Sequence, residues 1–126
     1  MRKLLICIGL GLGMSIISLS LFAHHGTAAY DTTRSVTVTG TLTEFRFINP
    51  HAQLFFDVKN DKGEVEKWQA ELTAPNKLNR AGWDKDTLKA GDSITVSGFV
   101  TKDGGHTIWI QKLIGPKGDE LKLRED

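Results

Sequence analysis

The apolar residues of this chain alternate with polar residues in short runs, which is typical of β-strands with one buried face. The clearest run contains Val36, Val38 and Leu42, separated mainly by threonines. The next apolar residues, Phe45 and Phe47, fall on odd positions instead of even ones. A strand whose side chains change faces in this way contains a β-bulge or a sharp bend. The pattern therefore predicts a long, bent first strand.

Four further strands follow from the same alternation, separated by residues that favour turns. Their predicted inward positions are Ala52, Leu54, Phe56, Val58, Trp68, Ala70, Leu72, Ile94, Val96, Gly98, Val100, Ile108 and Ile110. Between the third and fourth strands, residues 73–82 predict a short helix, with Pro75 in its first turn and Gly82 at its end. The predicted order is thus β-β-β-α-β-β.

This order is that of the OB-fold, a five-stranded Greek-key barrel with a helix between its third and fourth strands. A sharply bent first strand fits such a barrel. An immunoglobulin-like sandwich is the alternative, but it would have about seven strands and no helix. The sequence therefore predicts a mainly β, OB-like barrel over residues 36–116.

The first residues have the layout of a secretory signal peptide, with Arg2 and Lys3 before an apolar run and Ala23 at its end. A membrane anchor is the competing interpretation, but the apolar run is shorter than the ~20 residues of a membrane span. We expect a signal peptide over residues 1–23 and export to the periplasm. An extended arm over residues 24–35 and a charged, loosely held tail over residues 117–126 complete the predicted organisation.

The charge balance disfavours nucleic acid as a partner. The 16 basic residues include Arg2 and Lys3, which leaves 14 in the exported part against 15 acidic residues, and phosphate binding needs a basic stripe. Cys7, the single cysteine, lies in the signal peptide, so no disulfide is expected after export. We find no phosphate-binding glycine loop and no nucleophile elbow, and predict a binding protein without enzymatic activity.

The sharpest chemical hypothesis is a metal site at the new N-terminus. After cleavage, the α-amine and ring Nδ1 of His24 can chelate one ion, and nitrogen ligands of this kind suit copper or zinc. His25, His51 or His106 can supply a third nitrogen. The barrel order places the arm near His106 and far from His51, although an extended arm can cross that distance. We predict the set His24, His25 and His51; the alternative is that these histidines are ordinary surface residues.

A second hypothesis is an aromatic binding face. Phe55, Phe99 and Trp109 are out of phase with the inward positions of their strands, so their rings are expected to point outwards. OB-like barrels bind oligonucleotides, sugars or peptides across such surfaces. We expect a sugar, peptide or envelope protein as the partner in this case. The alternative is that these rings pack beneath the helix, the arm or the tail.

The chain also resembles a family of small exported bacterial proteins that is grouped as a domain of unknown function. The residues that carry the resemblance are Ala23, His24, His25, Tyr30, Asp31, Gly40, Thr41, Leu42, Phe45, Asn49, Pro50, His51, Trp68, Glu71, Pro75, Leu78, Arg80, Gly82, Trp83, Leu88, Lys89, Ala90, Gly91 and Asp92. Serine usually follows the second histidine in that family, whereas Gly26 stands there in this chain. The resemblance implies export and one β-rich domain, and it implies no particular activity.

Overall fold

A computed structural model describes residues 27–126 of the chain. The predicted signal peptide and the two arm histidines, His24 and His25, lie outside the described residues. The elements in chain order are a 3-10 turn (Thr27–Ala29), β1 (Tyr30–Arg46), β2 (Gln53–Lys59), β3 (Val65–Glu71), α1 (Pro75–Arg80), β4 (Ser93–Thr101) and β5 (Thr107–Ile114).

The five strands close into a barrel in the order β1-β2-β3-β5-β4. Neighbouring strands are antiparallel except β3 and β5, which pair in parallel over a short stretch. Together with the helix between β3 and β4, this arrangement is the OB-fold. The predicted fold is therefore confirmed, and the sandwich alternative is wrong.

The bend of β1 allows one strand to pair with both β2 and β4. The register with β2 shifts between Leu42 and Glu44, where the sequence pattern changes phase. Gly40 lies close to the bend, and a Cβ atom at this position would come within 2.4 Å of the Asp57 carbonyl oxygen. A side chain would therefore push the two strands apart. The strand also starts at Tyr30, so the second half of the predicted arm is already part of the sheet.

The barrel interior is filled by the predicted apolar positions. The fully buried large side chains are Phe56, Leu42, Leu54, Leu72, Leu78, Ile94, Ile108, Leu113 and Val96. Each such side chain contributes roughly 1.5–3 kcal/mol by leaving water. Among the predicted inward residues, Val36, Val38 and Trp68 are only partly buried and pack against the core.

The short helix forms where the sequence predicts it. Pro75 opens the helix after Ala74, which makes no side-chain capping bond, and Pro75 and Leu78 are buried against the barrel. Gly82 ends it with a φ of +93°, a conformation that glycine adopts without strain. The indole of Trp83 is buried directly after it.

The C-terminal tail differs from the expectation of a loosely held segment. Its backbone folds back on β5, where the Leu121 N–H donates to the Leu113 carbonyl at 2.9 Å. The indole Nε1 of Trp83 donates to the Lys122 carbonyl at 2.6 Å. Leu121 and Leu123 pack against the core because they are two residues apart in an extended segment and share one face. The abundant charges of the tail conceal this short apolar alternation.

Among residues 27–126, no helix has the length and apolar character needed to cross a bilayer.

The docked tail predicts that Leu121→Ala lowers the free energy of unfolding by about 1–2 kcal/mol, because a half-buried leucine loses part of its apolar contact. Urea unfolding followed by tryptophan fluorescence measures this change. The exposed Glu125→Ala variant is the control and should unfold at the same urea concentration as the parent. Equal stability of all three proteins would show that the tail is loosely held after all.

Candidate functional site

The closure of the barrel places a row of side chains on its outer surface. Glu71 at the end of β3 pairs with Trp109 of β5, and Trp109 pairs with Phe99 of β4. The residues on either side of Trp109, Ile108 and Ile110, are buried in the barrel. Since side chains of a strand alternate between its two faces, Glu71, Trp109 and Phe99 face outwards.

Tyr30 covers this row from the start of β1. Its backbone is held in place because Tyr30 pairs with Thr101 and the Lys102 N–H donates to the Ala29 carbonyl at 3.0 Å. The Tyr30 ring lies 6.0 Å from that of Trp109, and the residue is only 5% exposed. Its hydroxyl donates a 2.6 Å hydrogen bond to Oε2 of Glu71.

His51 reaches the same carboxylate from the turn between β1 and β2, directly after the cis Asn49–Pro50 bond. Its Nδ1 lies 3.0 Å from Oε1 of Glu71, and its ring meets that of Trp109 edge-on at 5.4 Å between centroids. An ionised carboxylate can only accept hydrogen bonds, so Nδ1 is the donor. Nε2 of His51 is consequently left with its lone pair when the ring is neutral. We call Tyr30, His51, Glu71 and Trp109 the Glu71 cluster.

The protonation state of Tyr30 is determined by this environment. Burial raises the pKa of its hydroxyl far above the ordinary value, and the hydrogen bond to the negatively charged Glu71 raises it further. The phenol therefore stays neutral and acts as a donor. Both oxygens of Glu71 are engaged, one by Tyr30 and one by His51.

The structure brings one of the three predicted metal ligands into the Glu71 cluster. His51 is a member, whereas His24 and His25 lie outside the described residues. The expectation that His51 lies far from the arm is wrong, because the Tyr30 side chain reaches the carboxylate that binds His51. His106 is engaged elsewhere: its ring stacks on Trp68 at 4.5 Å.

The described residues alone do not form a metal site. Within residues 27–126, no three histidine, cysteine, aspartate or glutamate side chains are close enough together to hold an ion. His51 and Glu71 form a pair, and the other two members of the cluster are Tyr30 and Trp109.

The three predicted aromatic residues do not form one open surface. Phe99 and Trp109 are neighbours, but Phe55 pairs with Gln69 on the far side of β3 and lies under the Arg46 guanidinium at 4.5 Å. All three rings are half-buried. The Trp109 ring is covered by Tyr30 and His51. Because Tyr30 belongs to the predicted arm, the alternative interpretation, in which the ring packs beneath the arm, holds for Trp109.

Two members of the cluster, Tyr30 and Glu71, were not predicted as site residues. Glu71 alternates with buried residues, a pattern that is also typical of solvated charges on an outer strand face. Tyr30 precedes the first clear alternation and falls in the segment predicted as an irregular arm. The signal that identifies them is the family resemblance, because Tyr30, His51 and Glu71 are all among the residues that carry it.

Comparison with known proteins supports the resemblance. The profile of a family of unknown function, DUF6152, matches residues 13–109. No curated protein matches the chain.

Several solved structures are similar to the barrel at low sequence identity. A tRNA fluorescent labeling enzyme has 22% identity and a TM-score of 0.44, with 68% of this chain and 18% of that chain covered. A small single-stranded DNA-binding protein from Streptomyces coelicolor has 14% identity and a TM-score of 0.41, with 64% of this chain and 88% of that chain covered. Rim1, a mitochondrial single-stranded DNA-binding protein from S. cerevisiae, has 11% identity and a TM-score of 0.43, with 71% of this chain and 94% of that chain covered. The match therefore spans less than a fifth of the labeling enzyme.

The buried phenol predicts a distinctive alkaline titration. Tyr30 is the only tyrosine of the chain, so the ultraviolet absorbance of tyrosinate reports on it alone. Because the folded protein keeps this proton while the unfolded chain loses it above pH ~10, the stability that Tyr30 contributes is intact below that pH and declines above it. We expect ionisation to begin well above pH ~10 and to accompany unfolding.

The Tyr30→Phe variant is the control for the stability measurement. It should lose less stability between pH ~9 and ~11 than the parent protein, since its side chain has no proton to release. A tyrosine that titrates near pH ~10 in the folded protein would contradict the Tyr30–Glu71 hydrogen bond.

Proposed function

The chain belongs to DUF6152, a family of unknown function, and we propose that it is an exported periplasmic protein that binds one copper or zinc ion without catalysing a reaction. The proposed ligands are His24, at the N-terminus created by signal cleavage, His25 and His51. Glu71 is not a ligand in this proposal. It orients His51.

The observation that carries this proposal is the 3.0 Å contact between Nδ1 of His51 and Oε1 of Glu71. Metal-binding histidines commonly donate one ring N–H to a carboxylate, which fixes the tautomer and raises the basicity of the other nitrogen. His51 has this arrangement before any metal is bound. Its imidazole is about 30% exposed, so a metal ion can reach it from solvent.

The anchoring of Tyr30 supports the participation of the arm. The Tyr30 hydroxyl and His51 share the Glu71 carboxylate, so the chain enters the barrel beside the proposed ligand. His25 precedes Tyr30 by five residues, and the 3-10 turn Thr27–Ala29 lies between them. In the proposed site both arm histidines approach His51 from the N-terminal side of this turn.

The chemistry of the proposed N-terminus favours copper or zinc. An α-amine has an ordinary pKa of ~7.7–8 and a free imidazole one of ~6.5, so at neutral pH the imidazole is mostly unprotonated and a minor fraction of the amine is unprotonated and able to bind a metal. The amine and Nδ1 of His24 form one chelate, and His51 adds an imidazole from the folded barrel. Nitrogen donors of this kind suit copper and zinc better than magnesium or calcium.

A partner bound across the aromatic face has less support, because Phe55 lies apart and Trp109 is covered. The near-neutral charge of the exported part likewise gives little support for nucleic acid.

Calorimetric titration with copper and with zinc tests the proposal on mature protein that begins at His24. An extension of three alanines before His24 should weaken binding roughly tenfold, since it moves the amine out of the chelate without placing a histidine at the third position. His51→Ala should have a similar effect, and Glu71→Gln should weaken binding by roughly 10–100-fold through loss of the orienting carboxylate. His106→Ala is the matched control and should leave the affinity unchanged.

Unaltered affinity in the alanine-extended protein would exclude the N-terminal amine as a ligand. Unaltered affinity in His51→Ala would exclude the barrel from the site. Circular dichroism spectra that match the parent confirm that each variant is folded. Mass spectrometry of the protein secreted to the periplasm determines whether His24 is the first residue.

A further inference from the structure

The Tyr30 hydroxyl is placed so that it controls how Glu71 meets His51. Each oxygen of the Glu71 carboxylate has its own donor: Oε2 accepts from Tyr30 at 2.6 Å, and Oε1 lies 3.0 Å from Nδ1 of His51. The terminal torsion of a glutamate side chain is broad, so a carboxylate that is held through only one oxygen turns easily. With Oε2 held by Tyr30, Oε1 is the oxygen that faces His51.

The donor itself is held firmly. The backbone of Tyr30 pairs with Thr101 of β4, its ring packs on Trp109, and only 5% of the residue is exposed. Burial raises the pKa of the Tyr30 hydroxyl far above its ordinary value, so the hydroxyl keeps its proton throughout the neutral range. The hydroxyl therefore has a defined position and remains a donor.

The Glu71 carboxylate has a physical reason to turn if this hydroxyl is removed. Its side chain is only about 20% exposed, and its neighbour in β5 is the indole of Trp109. An ionised oxygen that lacks a donor in such surroundings has lost the hydrogen bonds that water would provide, which costs free energy. Rotation of the carboxylate towards solvent restores those bonds, but it carries Oε1 away from His51.

The tautomer of His51 depends on the position of Oε1. A carboxylate only accepts hydrogen bonds, so at Nδ1 it selects the neutral ring that carries its proton on Nδ1 and its lone pair on Nε2. Once Oε1 moves away, this selection is lost. The proton can then occupy Nε2, the nitrogen that the proposed site assigns to the metal ion.

We propose that Tyr30 is a positioning residue for His51: its hydroxyl holds Oε2 of Glu71, keeps Oε1 on Nδ1 of His51, and thereby leaves Nε2 free. The consequence for metal binding rests on the proposed function of the site. Tyr30 is not a ligand in this arrangement, because it acts through Glu71. Its hydroxyl thus determines the tautomer of His51, in addition to what its ring contributes to packing.

Long-range proton–nitrogen correlation spectra of the metal-free mature protein test the inference. Tyr30→Phe keeps the ring and removes only the hydroxyl. At pH ~8, above the ordinary imidazole pKa of ~6.5, we expect the His51 proton on Nδ1 in the parent and a mixture of both tautomers in the variant. Dispersed spectra confirm that the variant is folded.

Thr39→Val is the matched control for the loss of a hydroxyl from β1. The Thr39 hydroxyl lies 2.8 Å from that of Thr95 on the outer face of the barrel, so the variant also breaks one hydrogen bond of this strand. It does not touch the Glu71 carboxylate, whose two donors are Tyr30 and His51. The His51 tautomer should be the same in Thr39→Val as in the parent.

Calorimetric titration with copper and with zinc measures the consequence for binding. Tyr30→Phe should weaken binding about threefold to tenfold, less than the loss of the Glu71 carboxylate itself. Because Tyr30 acts through Glu71, Tyr30→Phe should have no further effect in a Glu71→Gln background, whereas independent effects of the two residues would add. Thr39→Val should bind like the parent.

A His51 proton that stays on Nδ1 in Tyr30→Phe would overturn the inference, even if the parent binds an ion as proposed. Equal or tighter ion binding by Tyr30→Phe, or the same loss of affinity in the Glu71→Gln background, would also overturn it. A parent protein that binds neither ion, but whose His51 tautomer responds to Tyr30→Phe, would refute the proposed function and support the positioning role. The spectra and the titration therefore distinguish the two failures.

Discussion

The parallel pairing of β3 with β5 closes the barrel and determines the arrangement of the outer surface. This pairing is short, and it ends at Glu71 and Trp109, which become neighbours although they are far apart in sequence. Because the neighbours of Trp109 in β5 are buried, its ring and the Glu71 carboxylate face outwards together. Tyr30 then packs on the ring and bonds to the carboxylate. This closure brings Trp109 to Glu71, and the pairing of Gln53 in β2 with Glu71 brings His51 to the same carboxylate.

Glu71 joins three segments that the chain order separates. It belongs to β3, accepts from the Tyr30 hydroxyl at the start of β1, and accepts from His51 in the turn that follows β1. A carboxylate that accepts from two donors through separate oxygens holds both donors in defined orientations. The same residue also lines a groove between α1, β3, β5 and the C-terminal tail.

Local sequence patterns predicted the fold well, since its elements depend on alternation and turn residues. The change of phase between Leu42 and Phe45 identified the bend, and Pro75 with Gly82 identified the helix. The Glu71 cluster was harder to predict, because a tyrosine and a carboxylate 41 residues apart leave no periodic signal. Only barrel closure brings them together. The tail was misinterpreted for a related reason: Leu121 and Leu123 are a two-residue apolar pattern within a charged segment.

In the proposed site, Glu71 holds Nδ1 of His51 and leaves Nε2 available to a metal ion. Long-range proton–nitrogen correlation spectra of the metal-free mature protein, recorded at a pH where the ring is neutral, report directly which nitrogen carries the proton. We expect the proton of His51 on Nδ1, and a mixture of both tautomers once Glu71 is replaced by alanine. A proton on Nε2 of His51 in the parent protein would show that Glu71 does not fix the tautomer that metal binding requires.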